Sequence, residues 1–396
     1  MSSSVQRTVQ LTVGLLVCLC LAYTAGFGVY RVWDGLEQAN QPQPLGVFWE
    51  AWDRLEQYFY GQLPAPRERT YGAIRGALAS LDDPYTVFVD PQLREPERDR
   101  LRGAFGGIGV TVWRDAAGHV ALSPHADSPA ARAGVREGDV LLAVDGEAIT
   151  DETTWDGVKA LLHGEVGTPV TLTISRPPTP SFTLTITREE IQVPSVTWRV
   201  LDGAPGVGYV RVESFTERTG EEIVTALQEL QAASVSSLVL DLRDNAGGLV
   251  EPAVATASQF LRAGAVLIEL GRDEQERSRP VQRDGIATDV PLAVLVNGGT
   301  ASAAEIVAGA LQDHARAPLI GERTFGKGAV QLIYDLSDGS SLHVTSAIWL
   351  TPNRHPINGQ GLTPDIAVPR GDGPQDVQLD RAITYLQSQR QMEKDD

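Results

Sequence analysis

The chain has 396 residues, 42% hydrophobic and 21% charged, which suits two or three globular domains and excludes a disordered chain. Its net charge of −18 disfavours phosphate backbones, so nucleic acid is not an expected partner. Both cysteines, Cys18 and Cys20, lie in the first apolar segment, leaving no downstream thiol for a disulfide, a zinc site or a cysteine nucleophile.

No charge occurs between Thr8 and Tyr30, a run flanked by Arg7 and Arg31. Its core, Leu11–Tyr30, matches the ~20 residues a helix needs to cross a bilayer. That exceeds the apolar region of a usual signal peptide, about 7–15 residues. Residues 1–31 therefore read as a transmembrane anchor. A cleaved signal peptide is the alternative, since Ala22-Tyr23-Thr24 offers a small-residue cleavage site.

After a polar linker, Leu45–Tyr60 carries Val47, Trp49, Trp52, Leu55 and Phe59 at helical spacing. A second helix over Glu68–Leu81 ends at Asp82-Asp83-Pro84, and a charged stretch runs on to Arg102. Residues 44–102 thus form a small helical unit suited to packing or to self-association as a homo-oligomer.

The texture changes at Gly103. Short strands at Gly109–Arg114, His119–Ser123, Val140–Val144 and Val170–Ser175 alternate with helices at Ser128–Ala133 and Thr154–His163, and Pro177–Pro180 closes a module over 103–178. Beyond it, 179–369 has an α/β pattern. Strands Gly208–Val212, Ser237–Leu242 and Leu292–Val296 alternate with helices Glu221–Ala232, Glu251–Leu261 and Ser302–His314. An amphipathic helix at Val377–Gln389, with Leu379, Ile383 and Leu386 on one face, and a charged tail complete 370–396.

Two motifs mark the middle module. Phe105-Gly106-Gly107-Ile108-Gly109 leads into a strand, so its amides can converge on an anion while the strand edge accepts an extended peptide. Ser128-Pro129-Ala130-Ala131-Arg132-Ala133-Gly134-Val135, continuing to Gly138-Asp139-Val140, resembles the signature of PDZ domains attached to bacterial proteases. The resemblance implies capture of a C-terminal carboxylate. A dinucleotide loop is excluded, because Gly107-Ile108-Gly109 enters a strand and not a helix.

Three segments of the α/β region carry chemistry. Strand 238–243 runs into Asp244-Asn245-Ala246-Gly247-Gly248, a turn able to expose amides to a developing oxyanion. Ala246 stands where a trypsin-like loop would place serine. Strand Leu292–Val296 runs into Asn297-Gly298-Gly299-Thr300-Ala301-Ser302, with Glu305 three residues on. Ser-x-x-Glu fits a capping box as well as a nucleophile presented at a helix start. The third segment, Gly321 to Gln331, holds Gly326-Lys327-Gly328. It imitates a phosphate loop, but Gly328 replaces the magnesium-binding Ser or Thr and a strand follows. Only three of the 33 basic residues are Lys: Lys159, Lys327 and Lys394. A base must release its proton, which a desolvated lysine can do and arginine cannot.

Together these segments closely resemble the carboxyl-terminal processing peptidases, or tail-specific proteases, over Leu45–Pro369, including Leu81-Asp82-Asp83-Pro84-Tyr85 and Gly361–Ile366. The resemblance implies Ser302 as nucleophile, Lys327 as general base, Gln331 orienting that lysine, and an oxyanion hole from the amides of Gly248 (or Gly247) and Ala303. It implies Phe105, Gly106, Gly107, Ile108 and Gly109 as the peptide-binding loop, and neither metal nor cofactor. Thr300, Ala304 and Ala246 depart from the family's commoner residues but remove no functional group.

The expected fold is α+β / α/β multidomain: membrane helix, helical unit, PDZ domain and a ClpP/crotonase-like α/β peptidase core. The expected function is a serine endopeptidase that recognises protein C-terminal tails through its PDZ domain and cleaves near them through an acyl-enzyme. Its bulk would be extracytoplasmic, periplasmic or at the cell surface, tethered by the N-terminal helix or released if that is cleaved. The competing class is a non-catalytic, membrane-tethered PDZ scaffold. None of His119, His125, His163, His314, His343 and His355 stands in a Ser-His-Asp context, and no His-Glu-x-x-His occurs.

Overall fold

A computed structural model describes residues 44–371 and 373–395. The expected membrane segment, 1–31, lies outside the described residues. Among those described, no helix is long and apolar enough to cross a membrane. Packing separates a unit ending at Ala73 from one beginning at Ile74.

In the first unit, helix Pro44–Tyr58 precedes the opening turns of helix Pro66–Ala79, whose Pro66 costs no hydrogen bond at a helix start. Arg69 ties them, pairing with Glu56 at 2.7 Å and lying over the Trp52 ring at 5.4 Å. Leu45, Val47, Phe48 and Trp49 stay exposed.

The second unit contains the peptidase-like core and the β-rich module. The core is a six-stranded sheet in the order Val196–Val200, Val207–Val212, Ser237–Asp241, Leu292–Val296, Leu319–Gly321 and Ile366–Ala367. The first pair is antiparallel and the rest are parallel. Apolar residues fill the central strands because both faces are covered. Leu238, Leu240, Val294 and Val296 pack with helices Thr219–Ala232, Val250–Ser258 and Ala303–Asp313. Val239, Ala293 and Leu295 meet Ala382 and Leu386 of the C-terminal helix Val377–Asp395. A second sheet joins Val87–Val89, Ser341–Leu350, Ala265–Gly271 and Glu276–Pro280, with Ala329–Asp335 also paired to Ser341–Leu350.

The module has its own core, built around Leu122, Leu141, Leu172 and Ile174. Its sheet runs on through Thr179–Thr187, and Glu189–Gln192 pairs back on Ala104–Gly107. The expected boundary at 178 therefore falls on a hairpin turn between Pro169–Arg176 and Thr179–Thr187, and the prolines do not close the module.

The charged stretch before Arg102 is a helix, Pro91–Arg102. Only Arg94 of this helix is buried, so it lacks the apolar periodicity that would have announced it. It docks by charge: Arg94 pairs with Asp335 at 2.8 Å, and Glu97 approaches His343 at 3.2 Å.

Candidate active site

The chemistry-bearing turns meet at the carboxyl ends of the parallel strands. Ala301 N–H donates to the Asn245 carbonyl at 2.9 Å, and the Thr300 hydroxyl donates to the Leu242 carbonyl at 2.8 Å. The Asn297 side-chain oxygen accepts the amides of Asp244 and Gly299. Gly247 lies so close that a Cβ there would stand 2.8 Å from the Ser302 Cβ.

Ser302 has φ 55° and ψ −117°, far from the extended backbone of an ordinary helix cap. Such a conformation costs on the order of 1–3 kcal/mol in a non-glycine residue and needs surrounding structure to hold it. Glu305 provides that structure. This fully buried carboxylate accepts Ser302 N–H at 2.9 Å, the Thr324 hydroxyl at 2.5 Å, Gly326 N–H at 2.8 Å and Lys327 N–H at 2.9 Å. Sequence reading finds only its capping half. The other three donors lie some twenty residues on, and no local pattern exposes them.

The lysine loop is pinned on its other side as well. Trp349, nearly fully buried, donates its indole N–H to the Lys327 carbonyl at 3.1 Å. Gly328 sits where a Cβ would stand 2.7 Å from the Asn358 nitrogen, which explains the glycine after Lys327. The half-buried Lys327 Nζ donates to Gln331 Oε1 at 2.8 Å, and Gln331 Nε2 donates to the Tyr85 carbonyl at 2.6 Å. Burial holds the Lys327 pKa below the usual lysine value. The Arg100 guanidinium pushes the same way, and the Glu97 carboxylate opposes it. A neutral amine is thereby made more accessible, as a lysine base requires.

The double glycine divides into two roles. Gly247 N–H donates to Asn245 Oδ1 at 2.9 Å, so of the two expected alternatives Gly247 has its amide occupied. Gly248 is exposed, with φ 142°, and a Cβ on it would lie 2.1 Å from the Phe215 carbonyl oxygen. Phe215 fixes this turn, donating its amide to the Gly247 carbonyl and accepting the Leu249 amide. Gly248, with Ala303 at the first position of the helix after Ser302, is left as the candidate donor pair.

The peptide loop proves to be part strand and part turn. Ala104–Gly107 pairs with Glu189–Gln192, while the Ile108 side chain is buried in the module core. Gly106 abuts the end of helix Trp155–Leu162: its carbonyl accepts Gly164 N–H at 3.0 Å, and a Cβ on it would lie 2.0 Å from the Gly164 oxygen. Phe105 stacks on His163 with ring centres 4.0 Å apart. Gly109 has φ 70° and opens the edge strand Val110–Arg114. A cavity of 590 Å³ lies between Phe105 and His163 on the module, Arg100 on helix Pro91–Arg102, and Ser214 and Thr216 beside the Phe215 anchor.

Among the described residues, no histidine hydrogen-bonds Ser302, Lys327 or Glu305. His314 Nε2 bonds the Ala265 carbonyl at 2.8 Å, and His343 lies between Ser341 and Glu97. Among the described residues, no His, Cys, Asp and Glu group could hold a metal ion.

Residues 206–368 match the model of peptidase family S41, and residues 120–176 match that of the PDZ domain. The chain is 38% identical over 337 residues to the carboxy-terminal-processing protease of Bartonella bacilliformis, covering 84% of this chain and 76% of that one. It is 35% identical over 347 residues to the carboxyl-terminal-processing protease of Synechocystis, covering 85% and 81%. Among solved structures it is similar to a photosystem II D1 C-terminal processing protease, at 37% identity and a TM-score of 0.48, covering 80% and 86%.

Proposed function

Because this chain belongs to the carboxyl-terminal processing peptidases of family S41, which are serine proteases, we propose that Ser302 is its nucleophile and Lys327 its general base. The observation that carries this reading is the sharing of Glu305, whose one oxygen holds the amides of both residues. Their amide nitrogens are thereby kept within about 6 Å of each other.

A protein tail adds as a strand along Val110–Arg114, with its carboxylate toward the Phe105–Gly109 loop. The chain leading back from the tail passes through the cavity toward Gly248. Neutral Lys327, oriented by Gln331, takes the Ser302 Oγ proton as Oγ attacks the scissile carbonyl. The oxyanion is met by the amides of Gly248 and Ala303. The Lys327 ammonium then delivers its proton to the departing amine, and water, deprotonated by the same lysine, resolves the ester.

Hydrolysis of tail-bearing peptides by wild type, Ser302→Ala and Lys327→Arg tests the dyad. Both variants should lose turnover yet still bind the tail, and hydrolysis by either one sinks the assignment. The apolar run Leu11–Tyr30 supports a membrane tether, which membrane fractionation tests, and the peptidase family supports an extracytoplasmic enzyme bulk, which protease accessibility of intact cells tests. The exposed Phe48 and Trp49 support self-association through helix Pro44–Tyr58, which light scattering tests.

A further inference from the structure

Tyr85 reaches the lysine arm from two directions. Its carbonyl accepts Gln331 Nε2–H at 2.6 Å, while Gln331 Oε1 accepts from Lys327 Nζ. Its half-buried ring has its centre 5.3 Å from the same Nζ. Asp83 secures this turn independently of the lysine. One carboxylate oxygen accepts the Tyr85 amide at 3.1 Å, and the other accepts the Thr86 hydroxyl at 2.6 Å. Thr86 Oγ1 then accepts the amide of Thr345, the residue paired with Gln331 across the sheet. The ring is thus held against the amine by the strand partner of Gln331.

We propose that Tyr85 is a positioning residue for the lysine base, its carbonyl fixing Gln331 and its ring face steadying the ammonium that forms when Lys327 takes the Ser302 proton. This inference rests on the Ser302–Lys327 reading. A neutral amine gains little from a ring face, whereas an ammonium within about 6 Å of the ring centre is attracted to its quadrupole. The contribution therefore grows as the proton arrives, and lapses when the proton passes to the leaving nitrogen. The ring exchanges neither electrons nor protons.

Other charged groups also bear on Nζ. Arg100 and Glu97 face it from helix Pro91–Arg102, the first opposing the ammonium and the second favouring it. His343, from strand Ser341–Leu350, lies close enough to feel the lysine charge. Arg100 is exposed, so salt screens its charge far more than it screens the short-range ring contact.

The test keeps the ring's shape and varies only its electrostatics. The intact protein, with Tyr85→Phe as reference, is compared with forms carrying mono-, di- and trifluorinated phenylalanine at position 85, using a tail-bearing peptide. The acid limb of kcat/KM should move stepwise to lower pH, by about 0.5 pH unit across the series, at low and high salt alike. The plateau kcat should fall about threefold with KM held, because a less basic lysine is the poorer proton acceptor. A flat series, in both limb and kcat, overturns the role of Tyr85. Failure of the dyad itself is read separately, from hydrolysis by Ser302→Ala or Lys327→Arg. Inactive dyad variants with a flat fluorine series overturn the Tyr85 inference alone.

Discussion

Ser302 and Lys327 donate their backbone amides to the same atom, Oε2 of Glu305, each at 2.9 Å. The carboxylate sets the spacing of the two segments and offsets the strain at Ser302. Glu305→Gln keeps the volume but turns an N–H₂ group toward donors that need an acceptor. We expect a stability loss of about 3 kcal/mol and a fall in kcat of tenfold or more. Thermal unfolding and peptide hydrolysis check both. Wild-type values in each would show that the bridge is incidental.

The acid limb of kcat/KM should report Lys327, with rate rising as pH increases because the neutral amine is the active form. Burial lowers its pKa, and Arg100 lowers it further. Removing that cation in Arg100→Gln should raise the pKa and move the limb to higher pH. Since Arg100 is exposed, the shift should be small, about 0.3 pH unit, and should shrink with added salt. A limb that moves downward, or that ignores salt, contradicts this account.

Gly248 tests the oxyanion geometry. Its φ is 142°, and the Phe215 carbonyl oxygen lies 2.1 Å from where a Cβ would stand, so Gly248→Ala must displace the turn. Turnover should fall by about 100-fold, the order seen when an oxyanion donor is lost, while tail binding by the separate module persists. Peptide binding by fluorescence anisotropy, measured beside hydrolysis, separates the two effects.

Much of this site is legible in the sequence because its parts are local. A continuous apolar strand followed by a glycine turn and an alanine-rich helix announces both the Gly247–Gly248 and the Ser302 turns. Lys327 stands out in a chain that otherwise prefers arginine. What escaped is non-local or side-chain-specific. Tyr85 lies 246 residues before the Gln331 it supports, and only the register of Ala329–Asp335 on Ser341–Leu350 explains their meeting. Helix Pro91–Arg102 lacks an apolar stripe because it docks through Arg94 and Glu97. Gly247 reads as equivalent to Gly248 until the Asn245 side chain is seen to occupy its amide.

The PDZ module rests on a pair whose pH dependence has a definite sign. Asp139, fully buried, accepts two hydrogen bonds from Arg176 at 2.6 Å each and the Arg136 amide at 2.8 Å. Burial works to raise the Asp139 pKa, but the Arg176 and Arg136 hydrogen bonds and charges overcome it and leave it lowered. A carboxyl depressed in the folded state stabilises fully above its unfolded pKa, near 3.9, and loses that contribution as pH falls through its folded value. Asp139→Asn should therefore destabilise the module by about 2–3 kcal/mol at neutral pH, toward the lower end for a buried pair because Arg176 is partly exposed. The gap from wild type should hold down to about pH 4 and close below it. Denaturant unfolding of the intact protein across that range measures the gap. A difference that widens on acidification would mean that the Asp139 carboxylate is not what the arginines hold.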